Sequence, residues 1–184
     1  MRIQTLLLLT LLPAVALAAG KPNPEKIAKK HQTSLGLYVH PQEAYEMIQA
    51  GAGKVHLLDV RTPGEYVFLG HPAMARNIPY SFLVEEWSEA LQKPDMRLNA
   101  DFVEQVKAHY QPGDTIILMC RSGDRSARGV DLLAKAGFTK AYTMLEGFQG
   151  DMIDGRRSKF GWANHGLPWT YELDPKLVYQ GKNE

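Results

Sequence analysis

The chain has 184 residues, 45% of them hydrophobic, which is the length of one ordinary domain with enough apolar material for a real core. Its 21 Lys+Arg against 20 Asp+Glu leave it close to neutral, and no basic stripe interleaved with aromatics is present, so nucleic-acid binding has little support. A single cysteine excludes an intrachain disulfide.

In chain order, residues 1–18 (MRIQTLLLLTLLPAVALA) combine one early basic residue, a leucine-rich stretch and the small-residue ending Ala16-Leu17-Ala18. This is the pattern of a cleaved export signal. The rival reading, a membrane anchor, has to accommodate Gln4, Thr5, Thr10 and Pro13 in an apolar run shorter than the roughly 20 residues a span needs. No cysteine follows the cut, which argues against a lipid-anchored form. Cleavage removes Arg2 and no acidic residue, leaving 20 charges of each sign. The mature protein is expected to be exported, to the periplasm if the source is a Gram-negative bacterium, with no membrane span left. Residues 19–34 are polar, basic and proline-bearing, the composition of a flexible leader.

Residues 35–40 (LGLYVH) read as a short strand, and residues 41–51 as a helix opened by Pro41 and stopped by Gly51. Residues 54–60 (KVHLLDV) are a near-continuous apolar run, the mark of a strand buried on both faces. Residues 75–79 (ARNIP) suggest another short strand ended by Pro79. Leu83, Trp87 and Leu91 recur at helical spacing within residues 80–92, as do Phe102, Val103 and Val106 within residues 99–110, so both segments are predicted helical. Residues 114–120 (DTIILMC) give the strongest strand, residues 126–137 a helix closed by Gly137, and residues 141–147 the last strand. Short apolar strands alternating with helices predict an α/β fold with a parallel sheet covered on both faces. One domain over residues 35–168 accounts for the pattern, with residues 169–184 as a C-terminal tail.

Cys120 stands at the carboxyl end of the strongest strand, the edge at which open α/β sheets bind ligands. Composition alone favours an inert thiol, because free cysteine is among the most buried residue types. Its neighbours, Arg121-Ser122-Gly123-Asp124-Arg125-Ser126, point the other way. Gly123 permits a curled loop, whose amides form a positive concavity together with the free N–H groups of the following helix. Such surroundings favour a thiolate and a small bound anion. Arg121 and Arg125 would add fork-shaped donors for an oxyanion; alternatively, they lie on the surface and pair with Asp124 and Asp131.

The segment CRSGDRS at residues 120–126 resembles the active loop of the rhodanese domain. Residues 57–79, with Asp59-Val60-Arg61, Gly70-His71 and Ala75-Arg76-Asn77-Ile78-Pro79, resemble a second motif of that family, and residues 161–168 (GWANHGLP) resemble its closing Trp…Gly-Leu-Pro. The resemblance implies a three-layer fold around a parallel sheet of about five strands. It also implies a sulfurtransferase in which Cys120 takes sulfur from a donor such as thiosulfate, becomes a persulfide and passes the outer sulfur to cyanide, a thiol or a protein. Arg121, Ser122, Gly123, Asp124, Arg125 and Ser126 would then hold the substrate. Asp59 and Arg61 would support the loop, Arg61 through an ion pair to Glu65, and His71 would pack or cap. A non-turnover persulfide carrier or a partner-binding module is the alternative.

Three departures from the family pattern bear on specificity. Asp124 stands where Asn is frequent and sets a carboxylate beside the anion site, while Met74 replaces a common Gly in a local turn. Residues 151–160 form an insertion expected on the same edge as Cys120, with Asp154, Arg156 and Arg157 as candidate contacts for a donor or partner, or else as a solvated loop. Tyrosine-type phosphatases and arsenate reductases also use a cysteine in an amide-lined loop, but they need Cys-x5-Arg, and the sixth position after Cys120 is Ser126. The six histidines show no metal-ligand spacing and no nucleotide loop is present, so no metal and no cofactor are expected.

Overall fold

A computed structural model describes residues 26–181. The expected export signal, residues 1–18, and the first part of the expected leader lie outside the described residues.

The elements run β1 (Tyr38–Val39), α1 (Pro41–Ala50), β2 (Val55–Asp59), α2 (Pro63–Leu69), β3 (Arg76–Asn77), β4 (Ser81–Ser88), β5 (Lys93–Leu98), α3 (Phe102–Lys107), β6 (Thr115–Met119), α4 (Asp124–Lys135) and β7 (Ala141–Met144). Five strands form one sheet in the order β1-β7-β6-β2-β3, with every pair parallel. Alternation along β2 and β6 divides the core. Leu58, Ile116 and Leu118 meet Phe102 and Val106 of α3 and Val130 and Leu133 of α4. Leu57, Ile117 and Met119 meet Ala44 of α1 and Tyr66 of α2 on the other face. The result is the expected three-layer α/β fold, and burial on both faces explains why these strands read as unbroken apolar runs.

In the central register Asp59 lies beside Met119, so the chain leaves β2 and β6 at the same edge and Asp59-Val60-Arg61 runs next to Cys120. Helix α2 begins with a capping box: Thr62 accepts from the Glu65 N–H while the Glu65 carboxylate accepts from the Thr62 N–H, and Pro63 opens the first turn.

Two expectations are corrected. Residues 80–92 are not a helix: β4 and β5 form an antiparallel hairpin with Ser81 opposite Leu98, Leu83 opposite Met96 and Trp87 opposite Pro94. The helical spacing of Leu83, Trp87 and Leu91 carries no weight because all three are more than half exposed; no core face holds them on one side of a helix. Local β-formers (Phe82, Leu83, Val84) and the base of the hairpin decide instead, where the Asn99 N–H donates to Tyr80 O and its side-chain amide to Pro79 O. Helix α4 starts at Asp124, two residues earlier than expected, which shortens the turn after Cys120 and puts Asp124, Arg125 and Ser126 in the first helical turn.

The described part of the leader is held in place. Lys29–His31 form a 3-10 turn with His31 buried, and Ser34 donates twice to Asp131 of α4. The tail is also integrated: Thr170 pairs with His71, and the Asn77 N–H donates to Leu177 O, so packing continues beyond residue 168.

Candidate active site

Cys120 follows β6 directly and is 2% exposed. The next three residues turn the chain into α4. Gly123 takes φ 104°, a left-handed conformation that side chains disfavour, and this aims its N–H at Cys120 Sγ, 3.1 Å away. Ser126 Oγ lies 3.7 Å from Sγ and 3.0 Å from Gly123 O. The Thr143 hydroxyl donates to Ser126 Oγ at 2.8 Å. Ser126 therefore uses its single proton toward either the sulfur or the Gly123 carbonyl, and Thr143 leaves that choice open by acting as the donor in their own contact.

The segment after β7 fastens the loop from below. Phe148 N–H donates to Cys120 O at 2.8 Å, and Gln149 and Gly150 N–H both donate to Arg121 O. The approach is so close that a Cβ on Gly147, itself at φ 59°, would sit 2.3 Å from Cys120 O. From the other side His31 backs the loop: a Cβ on Gly123 would meet His31 Nε2 at 3.2 Å. Burial, with Lys30 beside it, lowers the His31 pKa and keeps the ring neutral at pH 7.

Arg125 is paired differently from either alternative set out for it above. Arg125 donates both terminal nitrogens to Glu65, at 2.6 and 2.8 Å. Burial by itself would raise the Glu65 carboxyl, but the Arg125 hydrogen bond and charge, with Thr62 and Arg61, outweigh it and hold the carboxyl down at about 2. Arg128 pairs with Asp124 at 3.0 Å, one helical turn away, and Asp131 accepts from Ser34 rather than from an arginine. Asp124 thus sits at the positive end of α4, where its charge is stabilised and competes with any anion drawn to the same amides. Arg121 is exposed and makes no ion pair among the described residues.

Asp59 and Arg61 form a fully buried pair. Arg61 Nε contacts both Asp59 oxygens at 3.0 Å, and Nη2 reaches Asp59 Oδ2 at 2.6 Å and Gly70 O at 2.8 Å. The partner of Arg61 is therefore Asp59 and not Glu65, because Glu65 is already engaged by Arg125. The guanidinium also stacks over Phe148, 4.3 Å from the ring centre, and Phe148 holds the Cys120 carbonyl. His71 is buried, stacked on Tyr66 with ring centres 3.6 Å apart, its Nδ1 3.1 Å from Tyr66 O.

The insertion starts from Gly150 on the active edge. Arg157 donates to Gly150 O and lies in electrostatic reach of Arg121 and Cys120. Asp154 and Arg156 point to solvent around a tight turn closed between Ile153 and Arg156. Lys30 of the leader reaches Asp151 at 3.2 Å, which ties leader to insertion. Beside them Glu146 accepts from His40 Nδ1 at 2.9 Å, His165 Nε2 at 2.7 Å and Gly161 N–H at 3.0 Å. Burial opposes its charge, yet these three donors bring the Glu146 carboxyl down to about 2.

Above the thiol lies a cleft of about 720 Å³. Its floor is the predicted set of Cys120, Arg121, Ser122, Asp124 and Arg125, with Ser126 and Gly123 behind the sulfur. Its walls were not legible beforehand: Thr62, Glu65 and Tyr80 on one side, and on the other the β4-β5 hairpin, with Leu83, Met96 and Leu98. No residue of the insertion lines it.

The family model described as "Rhodanese-like domain" matches residues 40–152, more than half of the chain. The chain is a member of the rhodanese-like family. It is 34% identical over 125 residues to "Thiosulfate sulfurtransferase 16, chloroplastic" of Arabidopsis thaliana, covering 68% of this chain and 85% of the relative. It is 31% identical over 137 residues to "Thiosulfate sulfurtransferase 18" of the same plant, covering 73% and 83%. Among solved structures, Rv0390 from M. tuberculosis superposes on this rhodanese-like chain with a TM-score of 0.61 at 27% identity, covering 73% of this chain and 97% of that one.

Proposed function

We propose that this rhodanese-like protein is an exported sulfurtransferase that works through a Cys120 persulfide. The observation that carries the reading is the thiol itself, set at the end of a buried strand with the Gly123 N–H and the Ser126 hydroxyl aimed at its sulfur and an open cleft above it. With thiosulfate, the donor in the names of two relatives, the Cys120 thiolate attacks the outer sulfur. The S–S bond of thiosulfate breaks, and sulfite leaves with the bonding electron pair. The new Cys–S–S⁻ anion extends into the cleft at the N-terminal end of α4, where the helix favours negative charge. An acceptor nucleophile, cyanide or a thiolate, then attacks the outer sulfur and Cys120 departs as thiolate. Asp59 and Arg61 act beneath this chemistry by holding Phe148 and, through it, the Cys120 carbonyl. Export rests on the pattern of residues 1–18.

Intact mass of the mature protein, recorded before and after thiosulfate and again after cyanide, tests the reading. One sulfur atom should be gained, then lost to cyanide, and Cys120→Ser should gain none. A thiol that stays alkylatable and unloaded with thiosulfate and with organic persulfides alike would overturn it. The second reading, a persulfide carrier that serves one protein, is favoured by one observation: Arg125 and Arg128 are already neutralised by Glu65 and Asp124, which weakens the hold on a doubly charged inorganic donor.

A further inference from the structure

We infer that the cleft-facing side of the β4-β5 hairpin is a docking surface for a protein segment whose reactive cysteine, thiol or persulfide, is flanked by apolar residues. The inference rests on the proposed persulfide chemistry and names the partner of that site.

Paired residues in the hairpin put Ser81, Leu83, Met96 and Leu98 on one face, because Ser81 lies opposite Leu98 and Leu83 opposite Met96. All four line the cleft that holds Cys120, joined by Leu91 and Pro94. Near the base of the hairpin the other face packs on the domain, with Phe82 against Tyr179 at 5.6 Å between ring centres, while Arg97 on that face is exposed and pairs with Glu86. The hairpin is therefore anchored at its base and open toward the thiol. Its leucines are strongly exposed, at 61% for Leu83, 57% for Leu91 and 51% for Leu98, and the apolar surface continues to Trp87, 54% exposed, opposite Pro94. From Leu98 to Pro94 the wall is roughly 13 Å long at the usual rise of a strand. A small inorganic donor touches only the loop end of such a wall, whereas an extended peptide covers its whole length, and a contiguous exposed apolar patch is the signature of a protein contact.

Charge agrees with this occupant. Among the described residues four cationic and three acidic side chains line the cleft. With Cys120 itself anionic as thiolate or persulfide the cleft is neutral, which matches an uncharged apolar segment and not a doubly charged inorganic donor.

The test uses the mature protein and short synthetic peptides in which a central residue is flanked by leucines or by serines. In the binding arm that residue is Ser, so no sulfur chemistry intervenes, and affinity is read by fluorescence anisotropy. The leucine-flanked peptide should bind about tenfold more tightly or better, and Leu83→Ser/Leu98→Ser should abolish the preference. Both leucines are exposed, so the fold should survive; a control, Leu173→Ser, removes an exposed leucine that does not line the cleft and should leave the preference intact. In the transfer arm the central residue is Cys, and kcat/KM for discharge of the Cys120 persulfide should show the same ranking. Equal affinities for both peptides, or a preference that persists in the double variant, would overturn the inference. So would a dimer seen by sedimentation that dissociates in the double variant, which assigns the face to a second copy. The two ideas fail separately: loading without peptide preference leaves the sulfurtransferase standing, and peptide preference without loading leaves the docking surface standing.

Discussion

Replacing Glu65 by Gln should lower stability and raise affinity for an anionic donor at the same time. The amide keeps the shape of the side chain and still accepts from the Thr62 N–H, so the helical cap survives. What goes is the two-pronged pair to Arg125, in which both side chains are more than four-fifths buried. The Glu65 carboxyl is held at about 2 against an ordinary 4.5; at about 1.4 kcal/mol per unit this corresponds to about 3 kcal/mol. Breaking a buried pair on one side costs about 3–5 kcal/mol, and partial exposure places this one near the lower figure. Because the pKa is depressed on folding, the contribution is fully present above pH 4.5 and is lost as pH falls through about 2. Urea unfolding should separate the two proteins by about 2–3 kcal/mol at pH 7, and the gap should close as pH approaches 2. Freed from Glu65, Arg125 gains an unpaired guanidinium in the cleft, and KM for thiosulfate should fall several-fold. A gap that stays constant from pH 7 to pH 2, or a higher KM in a folded variant, would refute the reasoning that this pairing withholds Arg125 from an anionic donor.

Other substitutions probe the loop and its supports. Gly147→Ala forces a Cβ to within 2.3 Å of the Cys120 carbonyl at a positive φ, so it should cost more than about 2 kcal/mol in denaturant unfolding and slow persulfide formation; an unchanged protein would mean that the two loops are not in contact. Thr143→Val removes the donor to Ser126 Oγ, and loss of that buried hydrogen bond should destabilise the fold by about 1 kcal/mol with a drop in loading rate that Ser126→Ala does not add to, as a double-mutant cycle would reveal. His40 has its pKa raised chiefly by the hydrogen bond to Glu146, against the effect of burial; it stabilises the fold below pH 6.5 and loses that contribution as pH rises through its folded value. In Glu146→Gln, NMR titration should bring the His40 pKa back toward 6.5, and no change would show that the contact is absent in solution.

The sheet was legible because its central strands are buried on both faces and so had to be apolar throughout, as in residues 54–60 and 114–120. The reactive loop was legible because its chemistry is local: the thiol, Gly123 and Ser126 lie within seven consecutive residues, 120–126. Helix α2 was missed although Thr62-Pro63-Gly64-Glu65 carries a capping-box pattern with proline at the first position. The partners of the charged groups could not be read, because Arg125 and Glu65 are 60 residues apart, and the nearer carboxylates Asp124 and Asp131 are taken by Arg128 and Ser34. The hairpin misled for a physical reason. Helical spacing is informative only when the spaced residues are buried together, and Leu83, Trp87 and Leu91 are held outward to solvent.

That same exposure separates the two tasks of the site. The sulfur is fixed by backbone bonds from Phe148, Gln149 and Gly150 and by the buried pair Asp59–Arg61 stacked on Phe148, none of which involves the hairpin. The hairpin is anchored at its base by Asn99 on Tyr80 and Pro79 and by Phe82 on Tyr179, contacts that do not bond Cys120 or its loop. Substitutions on the cleft-facing leucines can therefore change what approaches Cys120 without shifting Sγ or its donors, so partner choice and sulfur chemistry can vary independently. The insertion at residues 151–160 has the opposite connection. It is rooted at Gly150, whose N–H holds the Arg121 carbonyl, and tied through Lys30 to the leader turn that carries His31 behind Gly123. Shortening it should disturb loading of Cys120 with every donor alike, while altering the hairpin should discriminate among acceptors.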